Sequence, residues 1–355
     1  MRISVKTQLA LLFLVTACAI GVITILIVNS IITNQIIYEA QERVREHLSS
    51  ARWVYDSKVK DIDRTVYWTS IRHVLKKALM DRNVSALKEE LTGIMSQEGF
   101  DFLTLVDQKG TVIWRFHHPE RSGDNVIGDS FIKMSLEQKS VSGTQILTHE
   151  ELLKEGRDLA KRARMQLVPT PLEKPTEKLE ETSGMVLKSA QPVTDFKGRV
   201  IGVLTGGVLL NRNYELVDRI KSIVFKEAKY RGKEIGTATI FMGDLRIATN
   251  VIDKEGNRAV GTRVMKEVYE QVFEKGLPWV HRAFVVDDWY ITAYEPIRDI
   301  QGKIVGILYV GMLESKYTAM KEKIILLFFL FSVLGMLFAL TISFFFSWRM
   351  LKNKS

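Results

Sequence analysis

The chain has 355 residues, of which 46% are hydrophobic, and a formal net charge of +9. This length allows two or three domains. Five positive charges lie near the termini, and the other 45 Lys and Arg against 41 Asp and Glu leave only +4, which is typical of a mixed solvated surface and not of a nucleic-acid-binding one.

Two segments are long and apolar enough to cross a membrane. Residues 9–32 and 324–348 contain no charged side chain, and each exceeds the roughly 20 residues that a transmembrane helix needs. We therefore predict two transmembrane helices.

Short basic flanks set the predicted orientation. Residues 1–8 and 349–355 carry Lys and Arg but no Asp or Glu, and such flanks stay in the cytoplasm. Residues 33–323 are then extracytoplasmic, which is periplasmic for an inner-membrane protein. The single cysteine, Cys18, lies inside the first span, so no intrachain disulfide is possible.

Residues 33–98 are predicted to form a long stalk helix and a second helix. Apolar residues step by three or four from Val44 to Val66, which indicates one buried stripe on a helix reaching about Arg82. This stripe can pack on the chain's own domains or on a second subunit. The second helix is expected to begin at Asn83.

Residues 99–210 are predicted to be a membrane-distal module, called here the first module. It opens with a hairpin from Phe102 to Trp114. An insertion at residues 148–183 is predicted to contain one charged helix, Glu150 to Met165, and then an extended proline-containing loop.

A helix at residues 211–236 connects to a membrane-proximal module, residues 237–313, called here the second module. An exit helix, residues 314–323, is expected to continue into the second span. The two modules repeat one another, because Gln191–Leu209 aligns with Glu295–Leu313 without gaps. The same comparison matches Ile127-Gly128 with Val260-Gly261.

These features predict an α+β fold: two tandem PAS-like modules with antiparallel sheets on a long N-terminal helix, flanked by two transmembrane helices. The chain resembles the double Cache sensor family of two-component sensor kinases and related chemoreceptors. The resemblance lies in the following segments: Leu152–Gly156, Val168–Pro171, Glu181–Gly184, Gly206–Asn211, Thr239–Phe241, Arg246–Val251, Arg258–Thr262 and Trp289–Ile297. It implies a dimeric extracytoplasmic receptor that signals through its second membrane helix.

The first candidate site follows the first hairpin. Arg115, His117, His118 and Arg121 lie close together in the sequence, and Arg115 and His117 would share a strand face. Arg offers a bidentate fork for a carboxylate, and a protonated His adds a donor. Lys188 could complete this anion site. The alternative is a surface salt bridge for Arg115 and a packed His117.

The second candidate site lies in the second module. Aromatic walls with a few convergent polar groups are typical of small-ligand sites. The alternative is that a Thr-Asn corner ties a loop and that the aromatic side chains belong to the core. The candidates are Arg246, Thr249, Asn250, Arg258, Trp289, Tyr290 and Tyr294.

No enzyme, metal or cofactor motif is found. His149-Glu150 lacks the second histidine of a zinc protease, and adjacent His117 and His118 on a strand would point apart. The kinase and ATP-binding domains of the resembled receptors are not among these residues, so we expect a non-enzymatic sensor of a small molecule such as a carboxylate. The alternatives are a periplasmic protein-interaction module, or the sensor region of a chemotaxis receptor or diguanylate cyclase.

Overall fold

The structure is a computed structural model that describes residues 5–81, 83, 87–226 and 229–352. It divides into two compact units. One contains the chain up to Arg43 together with the chain from Glu314 onward, and the other is Val44–Leu313.

The N-terminal helices differ from the prediction in their ends. Helix α1 runs from Val5 to Ser70, and α2 (His73–Met80) follows after a short break, so the stalk is not one helix to Arg82. Helix α3 covers Lys88–Glu98 rather than starting at Asn83; residues 84–86 lie outside the described residues. The predicted apolar stripe is largely buried in the Val44–Leu313 unit, as Val44, Leu48, Ala51, Tyr55, Ile62 and Val66 show.

The first module is built on a five-stranded antiparallel sheet. Its elements in chain order are β1 (Phe102–Asp107), β2 (Val112–Arg115), α4 (Ser130–Leu136), β3 (Val141–Leu147), α5 (His149–Glu155), α6 (Arg157–Ala163), β4 (Met165–Gln166), β5 (Glu180–Glu181), β6 (Gly184–Thr194) and β7 (Val200–Leu209). The strand order is β2-β1-β7-β6-β3, while β4 and β5 form a separate small ribbon.

The insertion contains two helices and not the single predicted one. Thr148 and Glu151 form a reciprocal capping box at the start of α5. Gly156 then ends α5 and precedes α6. A Cβ at Gly156 would lie 2.8 Å from side-chain atoms of both His117 and Asp158, which pack closely against the turn between the two helices.

The extended segment of the insertion, residues 166–174, lies on the second module. Its backbone makes two hydrogen bonds to it, from Val168 N to Gly261 O and from Lys266 N to Leu172 O, both 2.8 Å. A Cβ at Gly261 would collide with the Gln166 carbonyl oxygen. The insertion of one module thus contacts the loop and first helix of the other.

The second module repeats the sheet. Its connecting helix, α7, covers Glu215–Phe225, which is shorter than predicted, and residues 227–228 lie outside the described residues. The elements that follow are β8 (Lys229–Tyr230), β9 (Lys233–Glu234), β10 (Gly236–Met242), β11 (Leu245–Thr249), α8 (Lys266–Tyr269), a π-helical turn (Glu270–Glu274), β12 (Trp279–Val285), β13 (Asp288–Arg298) and β14 (Ile304–Leu313). The strand order is β11-β10-β14-β13-β12.

The two sheets correspond residue by residue. Thr104 pairs with Thr205 and Arg115 in the first, and Thr239 pairs with Tyr309 and Thr249 in the second. Backbone hydrogen bonds of the loop after the hairpin also correspond. Gly123 N donates to Val112 O, and Gly261 N donates to Arg246 O. The predicted match of Val260-Gly261 with Ile127-Gly128 is therefore wrong, and Gly261 corresponds to Gly123.

The C-terminal helix α9 (Glu314–Lys352) begins at the residue after β14. Its apolar side chains are widely exposed, including Phe331, Leu334 and Phe338. Helices α1 and α9 each contain a stretch long and apolar enough to span a membrane.

Candidate ligand-binding site

A cavity of about 210 Å³ opens between the sheet of the first module and its helices. Phe102, Thr205 and Leu147 form its less polar walls. Three cations and three carboxylates also line it: Arg115, Lys154, Lys188, Asp129, Glu151 and Glu155. Two predicted site residues, Arg115 and Lys188, are thus brought together in one cavity.

Arg115 is buried at the end of β2 and is held by acidic side chains. Its Nη1 and Nη2 donate to the two carboxylate oxygens of Asp124 at 2.6 and 3.0 Å, and its Nε donates to Glu155 Oε1 at 3.0 Å. Nη1 also donates to the Arg121 carbonyl oxygen. The hydrogen bonds from Arg115 lower the pKa of Asp124. Most donors of Arg115 therefore have partners within the protein.

Lys188 forms a second buried ion pair on the neighbouring strand. Its Nζ lies 2.5 Å from Asp129 Oδ2 and 3.0 Å from Gln145 Oε1, and it also lies over the Phe131 ring. Asp129 is the N-cap of α4 and accepts a hydrogen bond from Phe131 N. Burial alone would raise the pKa of Asp129, but the charge of Lys188 and these hydrogen bonds lower it overall.

Lys154 is the cavity cation with the least engaged side chain. It lies on α5, is 46% exposed, and approaches Asp124 at 3.4 Å. Thr104 Oγ1 donates to Glu155, the α5 carboxylate that also binds Arg115. The cavity therefore has one wall of fixed ion pairs on the sheet and a second wall formed by the insertion helix.

The other predicted residues of the first site lie outside this cavity. Strand β2 ends at Arg115, so the predicted shared strand face of Arg115 and His117 is wrong. His117 is largely exposed and pairs with Asp158 at 3.0 Å, while His118 Nδ1 lies 2.9 Å from Glu120. Arg121 contributes its backbone carbonyl to Arg115.

Sequence reasoning missed Asp124, Asp129, Lys154 and Glu155. The signal for Lys154 and Glu155 was available, because the predicted helix of the insertion is rich in charge. Asp124 and Asp129 lie in a loop and at a helix cap, so nothing in their local pattern separates them from ordinary turn and cap residues.

The predicted residues of the second module separate into different environments. Thr249 bonds to Thr239 at 2.6 Å, and Asn250 Oδ1 accepts from Ala238 N, as expected for the loop-tying alternative. Arg258 pairs with Asp218 through two 2.8 Å hydrogen bonds and lies over Tyr214. Trp289 packs against Arg282.

Arg246, Tyr290 and Tyr294 share the buried face of the second sheet. Burial lowers the pKa of Arg246 and raises the pKa of Tyr290 to about 12. Tyr294 and Tyr309 lie with ring centroids 4.6 Å apart. These residues are part of, or packed with, the aromatic core of the module.

The counterpart of the first cavity is filled in the second module. By strand register, Thr205 corresponds to Tyr309, Arg115 to Thr249, and Lys188 to Thr292. Tyr309 is fully buried. A large ring therefore occupies the space that is open beside Thr205, and both cavity cations are replaced by threonine.

Within the ranges that the structure describes, no group of three or more His, Cys, Asp or Glu side chains is arranged to hold a metal ion.

Comparison with known proteins gives one family match. Residues 208–324 match the family model described as single Cache domain 3. No curated protein matches the chain.

Solved structures resemble the chain only remotely. The periplasmic domain of Vibrio cholerae LuxQ is 14% identical, with 76% of this chain and 99% of that chain covered and a TM-score of 0.41. The sensor domain of the V. cholerae histidine kinase DctB is 12% identical, with 79% and 98% covered and a TM-score of 0.40. The ligand-binding domain of the Campylobacter jejuni chemoreceptor Tlp3, in complex with 4-methylisoleucine, is 9% identical, with 81% and 94% covered and a TM-score of 0.42.

Proposed function

We propose, from the match of residues 208–324 to the family model of single Cache domain 3, that the chain is the extracytoplasmic sensing region of a transmembrane signal receptor of the sensor histidine kinase type. It would be anchored in the inner membrane by two spans, with residues 33–323 in the periplasm. Two apolar helices and short basic flanks support this arrangement.

The observation that carries the proposal is the charged cavity of the first module. Small-ligand sites are concave and combine apolar walls with a few placed polar groups. A cavity of about 210 Å³ with six charged side chains fits a small polar compound. In the second module the buried Tyr309 takes the place of Thr205, and this difference supports the first module as the sensing one within this proposal.

The charges suggest the ligand's chemistry. A carboxylate would meet Lys154, because Lys154 is half exposed and approaches Asp124 only at 3.4 Å, whereas the buried Arg115 and Lys188 have close carboxylate partners. Glu151 and Glu155 would favour a second, polar or cationic group. We propose a small carboxylate-containing molecule whose affinity depends on Lys154.

The signal would pass from the first module to β14 and into α9. Ligand binding must favour one of two packings, with a differential affinity of a few kcal/mol. Strand β14 leads directly into α9, so a shift of the second sheet would act on the second membrane helix. The homodimer implied by the family remains a prediction; Trp53 and Trp68 on α1 are exposed and available to it.

The alternative is a periplasmic protein-interaction module without a small-molecule site. Two filled cores would favour it, and the open cavity of the first module does not. The sensor region of a chemotaxis receptor or a diguanylate cyclase shares the same extracytoplasmic proposal and differs only in its output. No enzymatic role is proposed.

Thermal unfolding of the detergent-solubilised chain tests the proposal. The panel would contain mono-, di- and tricarboxylates, amino acids and phosphates. A ligand at a hundred times its dissociation constant adds about 2.7 kcal/mol of stability. We expect a shift with a carboxylate-containing compound in the wild type and a smaller one in Lys154→Met. The exposed Lys139→Met is the control, and a chain that responds to no compound would contradict small-molecule sensing.

A further inference from the structure

Arg246 is a buried cation without a counter-ion. Its side chain is almost fully buried on the inner face of the second sheet. Within the described residues its guanidinium donates one hydrogen bond, from Nη1 to Thr262 Oγ1 at 2.8 Å, and meets no carboxylate. Its Nε has no hydrogen-bond partner there. A buried charge in this condition is costly unless something compensates it.

The first module has a carboxylate at the position that corresponds to Thr262 of the second module. Backbone hydrogen bonds fix the correspondence, because Val112 N donates to Asp124 O and Arg246 N donates to Thr262 O. Arg246 thus takes the strand position of Val112, and Arg115 that of Thr249, but the residue facing the arginine comes from the same loop position in both modules. This residue is Asp124 in the first module. In the second module a neutral hydroxyl stands at this position. The second carboxylate on Arg115, Glu155, belongs to the insertion.

The surroundings of Arg246 suit an anion but leave little space. The ring centroid of Phe241 lies 5.2 Å from Arg246 Cζ. Tyr290, Tyr294 and Tyr309 lie on the same buried face of the sheet. Phenolic hydroxyls can donate hydrogen bonds to an anion. Tyr309 fills the volume that is open beside Thr205 in the first module, so a molecule of that site's size would not fit.

From these observations we propose that the second module binds a small monovalent anion at Arg246, in place of the carboxylate that Asp124 supplies in the first module. The chemistry is that of a halide or of a one- or two-carbon carboxylate. The anion would complete the core of the second module, whose last strand, β14, is followed directly by the second apolar helix, α9. The proposal is independent of the ligand site in the first module.

The test exchanges anions around the full-length chain in detergent. The reference buffer contains sodium gluconate, whose anion is too large for the site, and chloride, formate or acetate replaces it at constant ionic strength. In the wild type we expect a saturable rise in Tm of about 3 °C or more with at least one small anion. The anion that saturates at the lowest concentration distinguishes the halide from the carboxylates.

Two variants separate the site from general salt effects. Thr262→Asp restores the carboxylate found in the first module, so it should raise Tm in gluconate and remove the response to small anions. Arg246→Met removes the charge and should also remove the response; if it does not fold, Thr262→Asp decides alone.

The proposal would be overturned if the wild-type Tm did not change with the anion, or if small anions raised the Tm of the wild type and of Thr262→Asp equally. The two sites are tested separately. Lys154→Met should keep the anion response, and Thr262→Asp should keep the response to the ligand of the first module.

Discussion

The buried ion pair between Lys188 and Asp129 is a residue-level feature with a large expected effect on stability. Both side chains are mostly buried, at 6% and 15% exposure. Lys188→Met would leave Asp129 charged and without its cation, which should cost about 3–5 kcal/mol of unfolding free energy. Denaturant unfolding would measure this loss.

The control for that variant is Lys139→Met, which breaks the exposed pair with Glu137 and should cost less than about 1 kcal/mol. The double variant Lys188→Met with Asp129→Asn should recover much of the loss, because neither side chain then carries a buried charge. An equal loss in the double variant would show that packing, and not charge, explains the effect.

The lowered carboxylate pKa values predict acid sensitivity. Asp124 and Asp129 both titrate below their ordinary range in the folded chain, while an unfolded Asp titrates near about 3.9. The unfolded state therefore binds more protons in the interval between the two values, and stability falls as pH decreases through it. Unfolding of Asp129→Asn should depend less on pH below about 4 than unfolding of the wild type. An equal pH dependence of the unfolding free energy in the wild type and in Asp129→Asn would contradict the lowered pKa of Asp129.

At this scale the sequence predicted two of the three cavity cations, Arg115 and Lys188, but neither Lys154 nor the acidic partners. Arg115 and Lys188 stood out because Arg and Lys interrupt apolar strands. Glu155 binds Arg115 across 40 positions and Lys188 binds Asp129 across 59, and no local pattern reports such contacts. His117 was misplaced because β2 ends at Arg115.

Among the structural elements, the close pairing of β10 with β14 depends on Gly306. A Cβ at this position would lie well inside contact distance of the Phe241 carbonyl oxygen and close to Met185. Gly306→Ala should force these strands apart and destabilise the chain by about 1–3 kcal/mol, measured by thermal unfolding.

Gly93→Ala is the matched control. Gly93 lies in α3 with no atom within 4 Å of an added Cβ, so the variant should be neutral or gain up to about 1 kcal/mol of helix stability. Equal stabilities of the two variants would show that the sheet accommodates the methyl group. In the proposed receptor, Gly306→Ala should also weaken the coupling between ligand and membrane helix.

The predictions of elements succeeded where repetition or period was strong. The hairpins of both modules and the continuous helix from Glu314 follow the sequence patterns. The insertion helix failed because Gly156 breaks it, although charged residues continue on both sides. The predicted match between the loops was wrong. Ile127-Gly128 and Val260-Gly261 are similar in sequence, whereas the backbone hydrogen bonds show that Gly261 corresponds to Gly123.

For the whole molecule, the α+β architecture was predictable and the difference between the two modules was not. The repeated strands and two apolar segments were visible in the sequence, and residues 208–324 match the family model of single Cache domain 3. Tyr309 fills the position in the second module at which Thr205 leaves a cavity open in the first. This correspondence can be recognised only from the strand register. Function in a repeated fold thus depends on the positions at which its copies differ.

Membrane topology is the prediction that tests the whole molecule. The basic flanks predict that both termini lie in the cytoplasm and the modules outside. Cys18 is the only cysteine, so a Cys18→Ala background allows single cysteines to report their side of the membrane. In spheroplasts, an impermeant maleimide should label Ser122→Cys, on an exposed loop of the first module. It should label Lys352→Cys only after the membrane is permeabilised. The reverse pattern would place the ligand cavity in the cytoplasm, and a receptor for periplasmic compounds would then be impossible.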